Sequence, residues 1–315
     1  MREITHKLLV FSLLIMSFSL SIAGQTTTTI SVDTIVNAAS ERSKAYLEAF
    51  KNLLSEEKKS FEIYDKKGEV KKRRTIESTF LVYQLSKDQG QVAEFRNVTA
   101  VDGKKLDSTD ERAKDFFEKV VASESSQKEL DRIRDESTRY DEDFAINGLT
   151  LFQAIAFDNG LRPSFKFTAA GKESIDGVEA IVLSFEQTVP NPSITFNGSG
   201  PNNYDIEIDE NKTELNARMR GKIWIDPSTY NVRREVRERT IQPAGYEKPM
   251  VVAEDTFEYT DSEFGILTPK KMVHLQYLVK LKDRELRKDT RVQFDYGKFT
   301  KPDVEVKSSE VKSKT

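Results

Sequence analysis

Reactive side chains are few in kind in this 315-residue chain. There is no cysteine, and the only histidines are His6 and His274. That removes thiol nucleophiles, disulfides and the usual zinc ligand sets, all of which need several Cys or His side chains at defined spacing. A serine hydrolase triad would have to be built around His274. No serine lies in a nucleophile-elbow pattern, and His274 falls beside Gln276 on what reads as the polar face of its strand. We read it as a surface histidine. Asp205, Glu207 and Asp209 put three carboxylates on one face of a short extended segment, the oxygen chemistry that calcium accepts, but without the glycine and spacing of a dedicated loop. They read better as a charged edge that discourages strand pairing. Gly198-Ser199-Gly200-Pro201 has no following Lys-Ser/Thr and no helix start, so it is a turn and not a phosphate loop. No catalytic residue, metal site or cofactor is assigned. A carboxylate-based hydrolase stays open, because the chain has 52 acidic residues and their pairs cannot be ranked.

Any site must therefore come from the apolar elements. Arg2 and Lys7, the apolar run 8–20 and Ser21-Ile22-Ala23 follow the order of an export signal cleaved after residue 23. The run is shorter than the roughly 20 residues a spanning helix needs, and no later stretch is apolar enough. We expect an exported protein, periplasmic or extracellular, soluble for want of a lipobox cysteine, with no transmembrane segment in the mature chain. The formal net charge is −3, and losing Arg2, Lys7 and Glu3 makes it more negative, which argues against nucleic acid.

From Ser31 or Asp33 onward, Ile35, Val36, Ala39, Tyr46, Leu47, Phe50 and Leu54 recur at helical spacing. After Phe61 the period becomes two, with turns at 65–68 and Asp102-Gly103. A helical insert covers about 109–157. It opens at Asp110 with Phe116, Phe117, Val120 and Val121, and continues through the charged stretch 123–143, read as a solvated helix face or mobile connector. It ends in the apolar segment 148–157 (GLTLFQAIAF), read as a buried helix. From Arg162 onward nearly everything alternates. Val232 and Val236 share one face of a strand whose other face is Arg233, Glu235, Arg237 and Arg239, and Val273, Leu275, Tyr277, Val279 and Leu281 alternate likewise. We read one apolar and one charged face throughout, and a tail that frays from about 302. The fold class is mostly β (α+β), a large curved antiparallel sheet or unclosed β-barrel. An N-terminal helix and central helices cover its concave face, in a single half-barrel domain spanning 24–315.

Two hairpins carry a resemblance. Ile175-Asp176-Gly177-Val178 and Trp224-Ile225-Asp226-Pro227, with the order helix, strands, central helices, many strands, resemble the extracytoplasmic LolA-like lipoprotein-carrier fold group over most of 32–298. Asp-Pro after a strand stops the ladder and starts a turn, so these motifs specify hairpins and carry no chemistry themselves. The resemblance implies an unclosed barrel whose concave face is plugged by helices, with acyl chains taking their place. The function read first is a non-enzymatic binding or carrier protein for a lipid-like or lipoprotein acyl ligand. An envelope sensor or structural interaction protein on the same fold comes second, with envelope lipoproteins as partners. The expected apolar site lies between Phe165, Phe167, Leu183, Phe185, Phe257 and Tyr259 on the sheet and Leu149, Phe152 and Ile155 on the covering segment.

Overall fold

In the computed structural model, which describes residues 30–51, 53–88, 91–141, 150, 153–191, 217–243, 245–281 and 285–301, the N-terminal amphipathic pattern is helix α1 (Val32–Phe50). Ser31 caps it, its hydroxyl accepting from Thr34 N at 3.2 Å. The apolar stripe Ile35, Val36, Ala39, Tyr46 and Phe50 is buried, which is why an otherwise polar helix is held here. Leu54 no longer belongs to the helix and opens the first strand. The export signal, the acidic run 205–209, the turn 198–201 and the tail from 302 lie outside the described residues.

Strands β1 (Leu54–Tyr64), β2 (Val70–Gln84), β3 (Val92–Val101) and the two-residue β4 (Lys104–Lys105) form a meander. Helices α2 (Thr109–Val121) and α3 (Ser126–Ser137) follow, then single 3₁₀ turns at Ile155–Phe157 and Arg162–Ser164. A second meander runs through β5 (Phe165–Ile175), β6 (Val178–Gln187), β7 (Arg218–Ile225), β8 (Val232–Ile241), β9 (Met250–Asp261), β10 (Leu267–Lys280) and β11 (Glu285–Tyr296). All pair antiparallel in one sheet of order β4-β3-β2-β1-β11-β10-β9-β8-β7-β6-β5, in which the β1–β11 pair joins the two meanders. The two ends do not meet, so the barrel is unclosed. They nevertheless share one apolar cluster with α1, from Phe80 on β2 to Phe185 on β6, which requires the sheet to curve around that helix. Bulges such as those at Glu77/Ser78, Trp224/Ile225 and Gln276/Tyr277 supply twist and bend. The Asp-Gly turns form as their residues dictate, with φ of 50° and 76° at Asp102 and Gly103 and 48° and 81° at Asp176 and Gly177.

The described part of the charged stretch, 123–141, is built around helix α3 and is not a mobile connector. Its solvated face is present, but α3 buries Glu129, Ile133 and Ser137. Ile133 and Val120 of α2 pack on Phe95, Ala93 and Leu85, the side of β2–β3 away from α1. Helices α2 and α3 also satisfy the edge of β3. Ser137 Oγ accepts from Arg96 N and donates to Glu94 O, both at 3.2 Å, and Arg112 Nη2 donates to Val98 O at 2.8 Å. A charged segment thus seals backbone that would otherwise invite another strand. At the other end, Trp224 points away from the concave face. Its indole N–H donates to Glu173 at 2.8 Å, and the Arg234 guanidinium lies 5.0 Å from its ring.

Candidate functional site

Strand register decides what faces inward, and the result corrects one expectation. On β8 the charged side chains Glu235 and Arg237, not Val236, look into the concave face, whereas Val232, before the bulge at Trp224/Ile225, joins the main apolar cluster. Glu235 pairs across to Phe257 and Ile223, and Arg237 to Asp255 and Gly221, while Val236 turns outward beside Trp224. On β10 the inward residues are Met272 and His274, not Val273 and Leu275. Past the bulge at Gln276/Tyr277, Val279 and Leu281 join a separate cluster with Ile241 and Val252. Alternation reveals two faces but not which one is inside.

His274 is therefore not a surface residue. It is buried, its Nδ1 lies 2.6 Å from Asp255 Oδ1, and Arg239 Nη1 stands 3.4 Å from the other Asp255 oxygen. Burial drives the Asp255 carboxyl up, but Arg239 and His274 outweigh it and hold it at about 2, whereas burial brings Arg239 down to about 10. Toward the other end of the sheet, Arg96 grips Glu57 with Nε and Nη2 at 2.7 and 2.9 Å and Glu94 with Nη1 at 2.9 Å. Lys59 pairs with Asp141, with burial pushing the ammonium down and the carboxyl up. The concave face thus carries paired charges among its aromatics, each partnered as burial demands.

These charges hold the cover. Thr150 and residues 153–164 lie over the concave face beside α1, and they are not the helix the apolar pattern suggested. Ala154 takes a left-handed conformation (φ 46°, ψ 63°), and only isolated 3₁₀ turns follow, at Ile155–Phe157 and Arg162–Ser164. For alanine this backbone costs about 1–2 kcal/mol, so something must compensate. Ala154 N donates to Glu235 Oε2 at 3.1 Å, and Thr150 N to Glu94 Oε1 at 2.6 Å. Tyr46 OH donates to Thr150 O at 3.1 Å, Thr150 Oγ1 lies 2.5 Å from Tyr296 OH, Gln153 Nε2 reaches Val232 O at 3.3 Å and Ser40 Oγ donates to Phe157 O at 2.7 Å. Glu235 is itself clasped by Arg237 through two contacts of 3.0 Å, and burial raises its pKa against that pull.

Of the expected site residues, the structure gathers Ile155, Phe165, Leu183, Phe185, Phe257 and Tyr259 into one buried cluster, with Phe167 packed against it. Phe157 of the cover stacks on Phe167 at 5.5 Å, and Phe165 meets Phe185 edge-on at 5.6 Å. Leu149 and Phe152 lie outside the described residues. A groove of about 570 Å³ runs between the start of α1, residues 159–163 and β5, and reaches Phe165 and Phe167. The sequence reading missed Glu94, Glu235, Arg237 and Thr150. The signal that could have found them is Asp255, which interrupts the inward series Ala253, Phe257, Tyr259 with a carboxylate.

Fold and site together define an unclosed antiparallel half-barrel with a covered, partly charged concave face. No protein-family model matches the chain and no curated protein matches its sequence. Among solved structures it is similar to a DUF1329 family protein from Desulfovibrio piger, at 13% identity and a TM-score of 0.36 over 88% of this chain and 95% of that one. It is also similar to an outer membrane lipoprotein-sorting protein domain from Vibrio parahaemolyticus, at 10% identity and a TM-score of 0.34 over 85% of this chain and 92% of that one. A LolA superfamily protein from Nitrosomonas europaea matches at 10% identity and a TM-score of 0.33 over 88% of this chain and 96% of that one.

Proposed function

We propose that this chain is an exported, non-enzymatic binding protein that holds an acyl-like apolar ligand against the concave face. The ligand lies where Thr150 and residues 153–157 now lie, between α1 and the side chains of Phe165, Phe167, Leu183, Phe185, Phe257 and Tyr259. What carries the reading is the construction of the cover. It is irregular backbone, strained at Ala154 and pinned by carboxylates of the sheet, not a strand woven into it. Strain held by its surroundings is released when the pins let go, and covers that move are drawn from segments of this kind. The groove beside Phe165 and Phe167 supplies a way in at the cover's margin. The test is titration of the delipidated protein with a fluorescent fatty acid, together with native mass spectrometry of protein recovered from its own envelope. Saturable, one-to-one binding competed by unlabelled acyl chains is the expected result. A protein that binds no acyl probe and retains no lipid is a solidly packed domain, and the reading fails.

A further inference from the structure

Between the concave face and α1 are two hydroxyls without a partner among the described residues. Tyr259 OH on β9 and Ser43 Oγ on α1 are buried, and neither has a hydrogen-bond partner among the described residues. Tyr259 is 1% exposed and belongs to the main apolar cluster, its ring 6.0 Å from that of Tyr46 and edge-on to it. The neighbouring Glu235 carboxylate does not accept from it. Both oxygens of the neighbouring Glu235 are taken by Arg237, and one also by Ala154 N. Burial, then the charge of Glu235, keeps the phenol far above its ordinary pKa, so it remains a hydroxyl with a proton to donate. A buried tyrosine normally finds a partner for that proton, and an orphan in a native interior calls for an explanation. Phenylalanine would fill the same apolar position without the penalty.

We propose that Tyr259 OH is the docking point for a carbonyl oxygen of the ligand, so that the occupant is an acyl chain ending in a carboxylate or ester, not a bare hydrocarbon or an amine. Ser43, one helical turn before Tyr46 on α1, carries the second unpartnered hydroxyl and is assigned in the same proposal to that polar end. The inference rests on the binding reading above and refines it. With the cover in place the phenol is buried without an acceptor among the described residues. When a chain displaces the cover, its terminal carbonyl accepts from Tyr259 while the methylenes lie along Phe257, Phe185 and Phe165.

The experiment compares the full-length protein with Tyr259→Phe, using palmitate, methyl palmitate, hexadecylamine and hexadecane as competitors of one fluorescent probe. Thermal melting of both unloaded proteins accompanies it. Losing one hydrogen bond of about 1–1.4 kcal/mol corresponds to about 5- to 10-fold in affinity. The variant should bind palmitate and methyl palmitate that much more weakly, bind the amine and hexadecane unchanged, and melt no lower than wild type, because only an unsatisfied hydroxyl is lost. Ser43→Ala should weaken the same two ligands. Comparing acid with ester tells which carbonyl class fits better. Equal weakening of all four ligands would mean that the phenol merely replaces Ala154 N on Glu235 once the cover leaves, and would overturn the proposal. No change with any ligand would also overturn it and leave the binding reading intact. Failure of wild type to bind any competitor removes both.

Discussion

Replacing Glu235 by Gln tests how the cover is held. The carboxylate is fully buried and receives three donors, Arg237 Nε on one oxygen and Arg237 Nη2 and Ala154 N on the other. An amide has one acceptor oxygen. Whichever way the glutamine turns, its NH₂ faces a donor, and Arg237 loses the countercharge that its burial requires. Breaking one side of a buried ion pair costs about 3–5 kcal/mol. For a chain of this size each kcal/mol lowers Tm by about 2–4 °C, so a drop of roughly 6–20 °C is expected. Urea unfolding at pH 7 followed by far-ultraviolet circular dichroism measures the loss directly. Acyl-probe occupancy measured in parallel should rise, because Ala154 N and its strained backbone lose their anchor. The double replacement Glu235→Leu with Arg237→Met removes the pair as a unit, which is often nearly neutral. It should recover most of the stability while leaving probe occupancy raised. A loss below about 1 kcal/mol for Glu235→Gln would refute the reasoning, since it would mean that the carboxyl is already protonated and anchors the cover no better than an amide does.

Gly221→Ala should be far more damaging than an exposed glycine replacement. A Cβ there would stand 2.0 Å from Val236 O and 2.8 Å from the Phe185 ring, so β7 and β8 must part or the ring must leave. The expected loss is about 3 kcal/mol or more by chemical unfolding, against about 1 kcal/mol for Gly177→Ala, where the left-handed backbone is the only obstacle. Asp255, held at about 2, stabilises the fold above its unfolded pKa of about 4, and that stability drains away as pH falls from about 4 to 2. Asp255→Asn should flatten the pH dependence of unfolding free energy in that window, and an unchanged slope there would contradict the pairing. Asp141 and Glu235 act with the opposite sign, since burial raises both. Their ionisation weakens the fold as pH climbs above about 4, so in Asp141→Asn the urea midpoint should fall less between pH 4 and 6 than in wild type.

Much of this fold is legible because its signals are local. Ser31 and the stripe from Ile35 to Phe50 specify α1, and Asp-Gly pairs place the hairpins, since both effects act within a few residues. The gathering of Phe165, Leu183, Phe185 and Phe257 also follows from alternation, which keeps residues two apart on one face. Which face is inside is not local. On β8 the series Arg233, Glu235, Arg237, Arg239 reads as the charged face of a strand until the register with β9 sets Glu235 against Phe257 and Arg237 against Asp255. The bulge at Gln276/Tyr277 likewise breaks a single run of alternation into two. The cover escaped because its conformation is imposed from outside, Ala154 being held left-handed by a carboxylate 81 residues away in sequence.

The single tryptophan, Trp224, stands on the opposite side of the sheet from the cover, tied to Glu173 and Arg234. The position of its emission maximum thus reports the outer side of the sheet and not the interior. Loading or emptying the concave face leaves its surroundings intact, so a constant spectrum during a titration carries no information about occupancy. A shifted spectrum, by contrast, would record that the hairpins of β6, β7 and β8 have themselves been bent, so the chain carries a built-in gauge of wall deformation that is blind to its contents.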